Sequence, residues 1–271
     1  MNLRKIAERA SRGIVLKRRL PAAFGHAALY VSPSIGGLRY WRHEIGKVDP
    51  TLLRSAQRLI KAGTKTWDIG ANLGLFTFAA AARAQKNGYV LAVEPDVEAA
   101  VLLLRSRRLT EGAGTARIDI LTAAVCDQNH RIAILDVAVR ARAANALRGF
   151  GSTQMGGILE NRTVPAFRLD DLIEMFPSPS VVKIDVEGAE ANVLSGASRL
   201  IEEIRPTLII EVSGEKQRTV GQILADAEYR LFDGGQQDWP KVRVPPCDTI
   251  AIPVEACDRI LDFARSAGPH E

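Results

Sequence analysis

A chain of 271 residues, 46% hydrophobic and 25% charged, has the make-up of one globular α/β domain with extensions, and is neither fibrous nor disordered. Its formal net charge of +5 is unevenly placed, because residues 1–31 hold seven Lys/Arg (4, 5, 9, 12, 17, 18, 19) against Glu8 alone; that is a net +6, and the remainder is near −1. The body is therefore close to neutral, and the basic balance says little about its substrate. Cys126, Cys247 and Cys257 form no C-x-x-C pair, which excludes a disulfide frame or a structural zinc and points to a reducing compartment. No stretch approaches the ~20 apolar residues of a membrane span. Arg9, Arg12, Lys17, Arg18 and Arg19 interrupt any secretory core, so a cytoplasmic location is expected.

In chain order, residues 1 to about 20 read as a basic helix with Ile6, Ala10, Ile14 and Leu16 loosely on one side. It is expected to pack on its own domain, with weak contact to an anionic membrane surface as the alternative. Phe24 to His43, with Gly36-Gly37 and Tyr40-Trp41, is either a lid over a ligand or a core-closing segment. Residues 1–45 are thus an arm and lid-like extension, and 46–271 the main domain. Asp49-Pro50 opens a helix over 51–61. An extended run through Thr66 breaks at Gly70 and Gly74, and a helix over Leu75–Gln85 follows. Then come a strand over Tyr89–Glu94, a helix to about Leu109, a strand over Ile118–Val125 and a fourth apolar segment, Ile132–Val137. This alternation predicts right-handed crossovers and a parallel sheet.

Between Arg140 and Arg162 the pattern stops. A connector this long is expected either to cover an acceptor, with Asn145, Ser152 and Gln154 offering hydrogen bonds, or to be a surface insert. Thr163–Phe167 then reads as extended, Leu169–Met175 as helical, Val181–Val186 and Thr207–Val212 as buried strands, and Ala189–Leu200 and 215–228 as helices. Tyr229–Phe232 and Asp248–Pro253 complete the sheet, the last strand inserted antiparallel.

Ligands of open α/β sheets sit outside the carboxyl ends of the strands, where strand order reverses. That rule gathers the strand-end acids into one site: Asp68 with the Gly70 to Gly74 turn, Glu94, the Ala124-Val125-Cys126-Asp127 turn, Asp185 with Glu187, and Glu211. The turn places backbone N–H groups at a helix N-terminus, which suits a nucleoside ligand. Its Gly70-x-x-x-Gly74 spacing lacks the central glycine of the dinucleotide fingerprint, which opposes a nicotinamide-dependent oxidoreductase.

Asp68-Ile-Gly-Ala-Asn-Leu-Gly74 together with Glu94 resembles motif I and the ribose-binding acid of class I S-adenosylmethionine methyltransferases. Lys183-Ile-Asp-Val-Glu-Gly-Ala-Glu190 resembles the signature of the FkbM-type branch, and the resemblance runs from about Tyr40 to Pro253. It implies a Rossmann-like seven-stranded methyltransferase sheet, mostly parallel with an antiparallel last strand and helices on both faces. It also implies S-adenosylmethionine as cofactor. Asp68, Gly70, Ala71, Asn72 and Gly74 would take its methionine end, Glu94 its ribose, and Ala124, Val125 and Asp127 its adenine. The implied activity is methylation of a hydroxyl on a sugar, a glycan or a small-molecule secondary metabolite. Asp185 and Glu187 would be the catalytic acids on the cofactor's acceptor side, with Glu211 beside them and Lys183 keeping Asp185 ionised. The converging acids suit Mg²⁺ as an alternative, although no His or Asn occupies the motif. Ala189 stands where many family members carry His. Nucleic-acid methylation is opposed by the fourth strand ending in Asp185-Val-Glu187-Gly rather than Asn/Asp-Pro-Pro-Tyr; a cofactor-binding protein without activity is the other alternative.

Overall fold

The computed structural model describes residues 11, 13–128, 131–138, 145–150, 157–212 and 214–267. Ser152, Gln154 and the first ten residues of the basic arm lie outside them. The elements are β1 (Leu16–Arg19), β2 (Ala28–Val31), α1 (Pro50–Leu59), β3 (Lys65–Ile69), α2 (Leu75–Ala84), β4 (Tyr89–Val93), α3 (Val97–Thr110), β5 (Arg117–Leu121), β6 (Ala124–Val125), β7 (Arg131–Ala138), β8 (Ala146–Leu147), β9 (Ile158–Phe167), α4 (Leu169–Ile173), β10 (Val181–Ile184), α5 (Glu190–Ser195), β11 (Thr207–Glu211), α6 (Gln217–Asp226), β12 (Tyr229–Asp233), β13 (Lys241–Val242), β14 (Asp248–Pro253) and α7 (Cys257–Ser266).

The main sheet runs β13-β12-β14-β11-β10-β3-β4-β5. Strands β5, β4, β3, β10 and β11 are parallel, and β14 lies antiparallel between β11 and β12. This is the expected seven-stranded Rossmann-like sheet with one short extra strand, β13, on its edge. From β3 the chain winds out to β5 and then resumes on the other side at β10, so the reversal of strand order falls between β3 and β10. Side-chain alternation sends Val90 and Ala92 into the core under α1, α2 and α3, and Leu91 and Val93 into the core under α4, α5 and α6. Helix α2 is apolar nearly all round, with Leu75, Phe76, Phe78 and its alanines buried, because it lies between the sheet and α1. Asp49 starts α1 by accepting from Leu52 N at 2.8 Å, with Pro50 supplying a fixed φ in the first turn.

Six sequence expectations change. Leu16–Arg19 is a strand paired with Ala28–Val31, not the end of a basic helix; its exposure alternates, and Arg18 donates to the carbonyls of Trp41 and Arg42. Ile118–Val125 is two strands in two sheets, since β6 leaves the main sheet to run beside β9. The apolar segment 132–137 belongs to this second sheet, ordered β6-β9-β7-β8, in which β7 and β9 are antiparallel. Ile158–Arg162 is the exposed first half of β9, held by backbone pairing to β7, so it carries no alternating apolar pattern. The helix starting near Ala189 ends at Ser195, where a Cβ on Gly196 would press on the Cys126 carbonyl and the Asp127 backbone. Helix α7, which has a buried Cys257 and Ala264, is not anticipated from the sequence. No helix among the described residues is long and apolar enough to cross a membrane.

Gly70 has φ +76°, and a Cβ there would overlap the Asp185 carbonyl oxygen; Gly63 has φ +82° in open space. Gly63→Ala should cost only the backbone strain, on the order of 1 kcal/mol, whereas Gly70→Ala should cost at least about 2 kcal/mol more by urea unfolding, because it also forces β3 and β10 apart.

Candidate active site

A cavity of about 270 Å³ opens at the carboxyl ends of β3, β4, β10 and β11, on the β3/β10 reversal. Its floor is the Gly70 turn. Gly70 N and Ala71 N both donate to Val93 O, at 2.9 and 3.0 Å, and Gly74 N donates to Ala71 O at 2.8 Å. Asn72, at φ 49°, donates its N–H to Glu94 Oε2 at 2.7 Å, and Asp96 N donates to Glu94 Oε1 at 2.8 Å. These amides close on the protein itself, which differs from the expectation that they point at a ligand. Of the turn, Gly70 and Asn72 line the cavity. Ala71 is buried, and Gly74 is a packing position against Phe78 and Leu103. The Asn72 side-chain oxygen is buried with no partner, an acceptor free for a donor in the cavity.

Asp68 does not line the cavity. It is fully buried below it, with Thr77 Oγ1 donating to Oδ2 at 2.5 Å and Lys183 Nζ 3.3 Å from Oδ1. Lys183 is also 3.3 Å from Asp185 Oδ2 and donates to Gly70 O at 2.6 Å. Burial alone would lower the Lys183 pKa, but the Asp185 and Asp68 carboxylates outweigh it and hold the ammonium above its ordinary value. Lys183 is thus a cation under all ordinary conditions. Asp185, Glu187 and Glu211 all line the cavity. Surrounding protein and the nearby Asp185, Glu211 and Glu190 push Glu187 up to about 8, although its side chain is exposed at the mouth. Repulsion from Asp185, with burial second, pushes Glu211 up to about 7. Glu190 accepts from Gly188 N at 2.8 Å and fixes the loop carrying Glu187.

The adenine end fits in part. Ala124 and Val125 line the cavity, whereas Asp127 is exposed outside the lining. Leu135 and Leu147 of the second sheet complete the apolar wall. Neither is singled out by the sequence, and the only trace is the alternation of β7. Asn145 reaches the lining, but both ends of its amide are engaged: Nδ2 donates to Asp96 Oδ2 at 2.8 Å, and Oδ1 accepts from Ala138 N at 3.0 Å. Arg39, from the N-terminal extension, is a further lining residue that the motifs do not reveal. Among the described residues no group of three or more His, Cys, Asp or Glu is arranged to hold a metal ion.

Sheet order, glycine turn, second-strand acid and apolar slot together define a class I methyltransferase. Residues 68–263 match the Methyltransferase FkbM domain, and the chain belongs to that family, whose methyl donor is S-adenosylmethionine. It is similar to "Hexuronic acid methyltransferase AglP" of Haloferax volcanii, at 22% identity over 80% of this chain and 83% of that one. Among solved structures it is similar to Methyltransferase FkbM of Methylobacillus flagellatus KT, with a TM-score of 0.46 and 18% identity over 76% of this chain; it spans 59% of that longer protein. A tRNA (uracil-54, C5)-methyltransferase of Pyrococcus abyssi in complex with S-adenosyl-L-homocysteine gives a TM-score of 0.44 and 12% identity over 88% of this chain and 43% of that one. The residues present suit the cofactor: an acid with free lone pairs at the end of β4, an unpartnered Asn72 oxygen and an apolar slot.

Glu94 is buried, and desolvation pushes it up to about 7 against the two backbone N–H groups that lower it. Glu94, Glu187 and Glu211 all bind a proton more readily folded than unfolded. The unfolding free energy of the free protein should therefore fall as pH rises from about 4.5 through about 8. Glu94→Gln should flatten that slope, removing up to about 3 kcal/mol of the change in denaturant titrations across the range.

Proposed function

We propose that the chain transfers a methyl group from S-adenosylmethionine to a hydroxyl oxygen of a sugar, free, within a glycan, or on a small-molecule metabolite. The observation that carries this reading is Asp185, held beside the buried Lys183 cation at the cavity mouth with Glu187 and Glu211 around it. Resemblance to a hexuronic acid methyltransferase supports a sugar as the acceptor class.

In this reading Glu94 accepts from the ribose hydroxyls through the lone pairs its two backbone donors leave free, and the 124–125 backbone with Leu135 and Leu147 sandwiches the adenine. Asn72 accepts from a donor at the methionine end. Bound in this way, the cofactor supplies an electrophilic methyl on a sulfonium. The protein's task is to bring the acceptor oxygen in line with it and to take the hydroxyl proton. In-line placement supplies much of the acceleration. Asp185 takes the proton: of the three carboxylates at the mouth it is the one paired with Lys183, which fixes its orientation. Glu187 and Glu211 line the mouth beside it and hydrogen-bond to sugar hydroxyls. Lys183 acts behind Asp185, holding its charge and orientation.

Incubation with methyl-labelled cofactor and a panel of sugars should place label in an alkali-stable ether. Label released by mild alkali would move the acceptor from a hydroxyl to a carboxylate. Asp185→Asn should lower turnover by roughly 10²–10⁴ while S-adenosylhomocysteine affinity stays within a few-fold; undiminished turnover would remove Asp185 from the proton-accepting role. Glu94→Ala should weaken S-adenosylhomocysteine by about tenfold or more in calorimetric titration.

A further inference from the structure

The cavity is acidic, with Glu94, Asp185, Glu187 and Glu211 in its wall. That suits the sulfonium and ammonium of the cofactor but repels its carboxylate. Four of the donors that a glycine turn would ordinarily lend to that carboxylate are engaged: the amides of Gly70, Ala71, Asn72 and Gly74 all donate within the protein. Lys183 is shared among Asp68, Asp185 and Gly70 O. Among the described residues Arg39 is the one cationic side chain in the lining. It is exposed toward the opening and, among the described residues, has no hydrogen-bond or ion-pair partner; its guanidinium lies 5.8 Å from the centroid of the Tyr40 ring.

The position of Arg39 is fixed by packing. Tyr40 is 3% exposed and lies against Gly36. A Cβ on Gly36 would strike the Tyr40 ring and come within 2.5 Å of Leu73 Cδ1. Leu73 is itself part of the glycine turn and fully buried. The 33–41 segment is therefore seated on the floor of the cavity at its methionine end, and Arg39 projects from that seat.

We propose that Arg39 is the carboxylate anchor for the methionine tail of the cofactor, which makes residues of the N-terminal extension part of the cofactor site. A planar guanidinium donates two parallel N–H bonds to a carboxylate, and removing one such charge-assisted contact costs about 10- to 100-fold in affinity. The inference rests on the methyltransferase reading above, and the experiment separates the two. Titration calorimetry would compare S-adenosylhomocysteine with 5′-methylthioadenosine, which keeps the adenosine and thioether but lacks the aminocarboxylate.

Arg39→Ala should lose about 10- to 100-fold for S-adenosylhomocysteine, hold 5′-methylthioadenosine within about twofold, and leave the thermal unfolding midpoint unchanged; Arg39→Lys should recover part of the loss. Equal weakening of both ligands, or no weakening of either, would overturn the assignment while leaving the cofactor reading intact. Unchanged S-adenosylhomocysteine affinity with a raised KM for the sugar would overturn it in favour of an acceptor carboxylate. Failure of the wild-type protein to bind either ligand would overturn both readings together.

Discussion

Lys183 is the interaction on which the site depends. Strands β3 and β10 pair in register with Lys183 opposite Asp68, so one side chain spans the seam where the sheet changes direction. It sits between a fully buried carboxylate and a half-buried one, 3.3 Å from each. Taking three such groups out of water is costly, and an arrangement of this kind persists only when each charge is answered. Here Thr77 and Gly70 O complete the set. The same contact holds the glycine turn against the end of β10, which is why residue 70 has no room for a side chain. Charge pairing, turn conformation and placement of Asp185 are thus one constraint.

The walls around that seam are borrowed from parts of the chain that the sheet does not need. The second sheet contributes Leu135 and Leu147, Arg162 ties β9 to Asp96 and Glu98 at the start of α3, and Asn145 binds Asp96 from the other side. The N-terminal hairpin is fastened to α3 by Tyr30 N donating to Ser106 Oγ and by Arg105 over the Tyr30 ring. The main sheet is thereby given a mouth built from the second sheet and the N-terminal segments. The core of the site and its specificity lie on physically separate elements.

Legibility followed burial. Strands β3, β4, β10 and β11 are buried on both faces, and the apolar runs of β4, β10 and β11 with the glycine turn after β3 made these strands and the acids at their ends visible in the sequence. Glu94, Asp185, Glu187 and Glu211 came together as expected. Asp68 did not, because its position inside a buried strand is equally compatible with binding a ligand and with neutralising Lys183. The helical reading of Leu16–Arg19 failed because basic residues on an exposed edge strand look the same as basic residues on a helix face. Strand β9 begins in Ile-Leu-Glu-Asn-Arg, which pairs through its backbone and leaves no alternating hydrophobic period to read. Arg39 has no motif, and it becomes visible only when the 33–41 segment is placed on Leu73.

Helix α1 and the β1–β2 hairpin come early in the chain yet are secured late in it. Arg54 donates to the carbonyls of Gly234 and Gly235, Arg58 to that of Gln237, and Tyr30 N waits for Ser106. Contacts spanning about 180 residues form only after the intervening sheet has assembled, since loop closure must be paid in entropy before such contacts return anything. On the ribosome the amino-terminal segments therefore emerge first and lock last. A nascent chain released short of residue 237 would carry the glycine turn without the clasp that ties α1 to the 234–237 carbonyls.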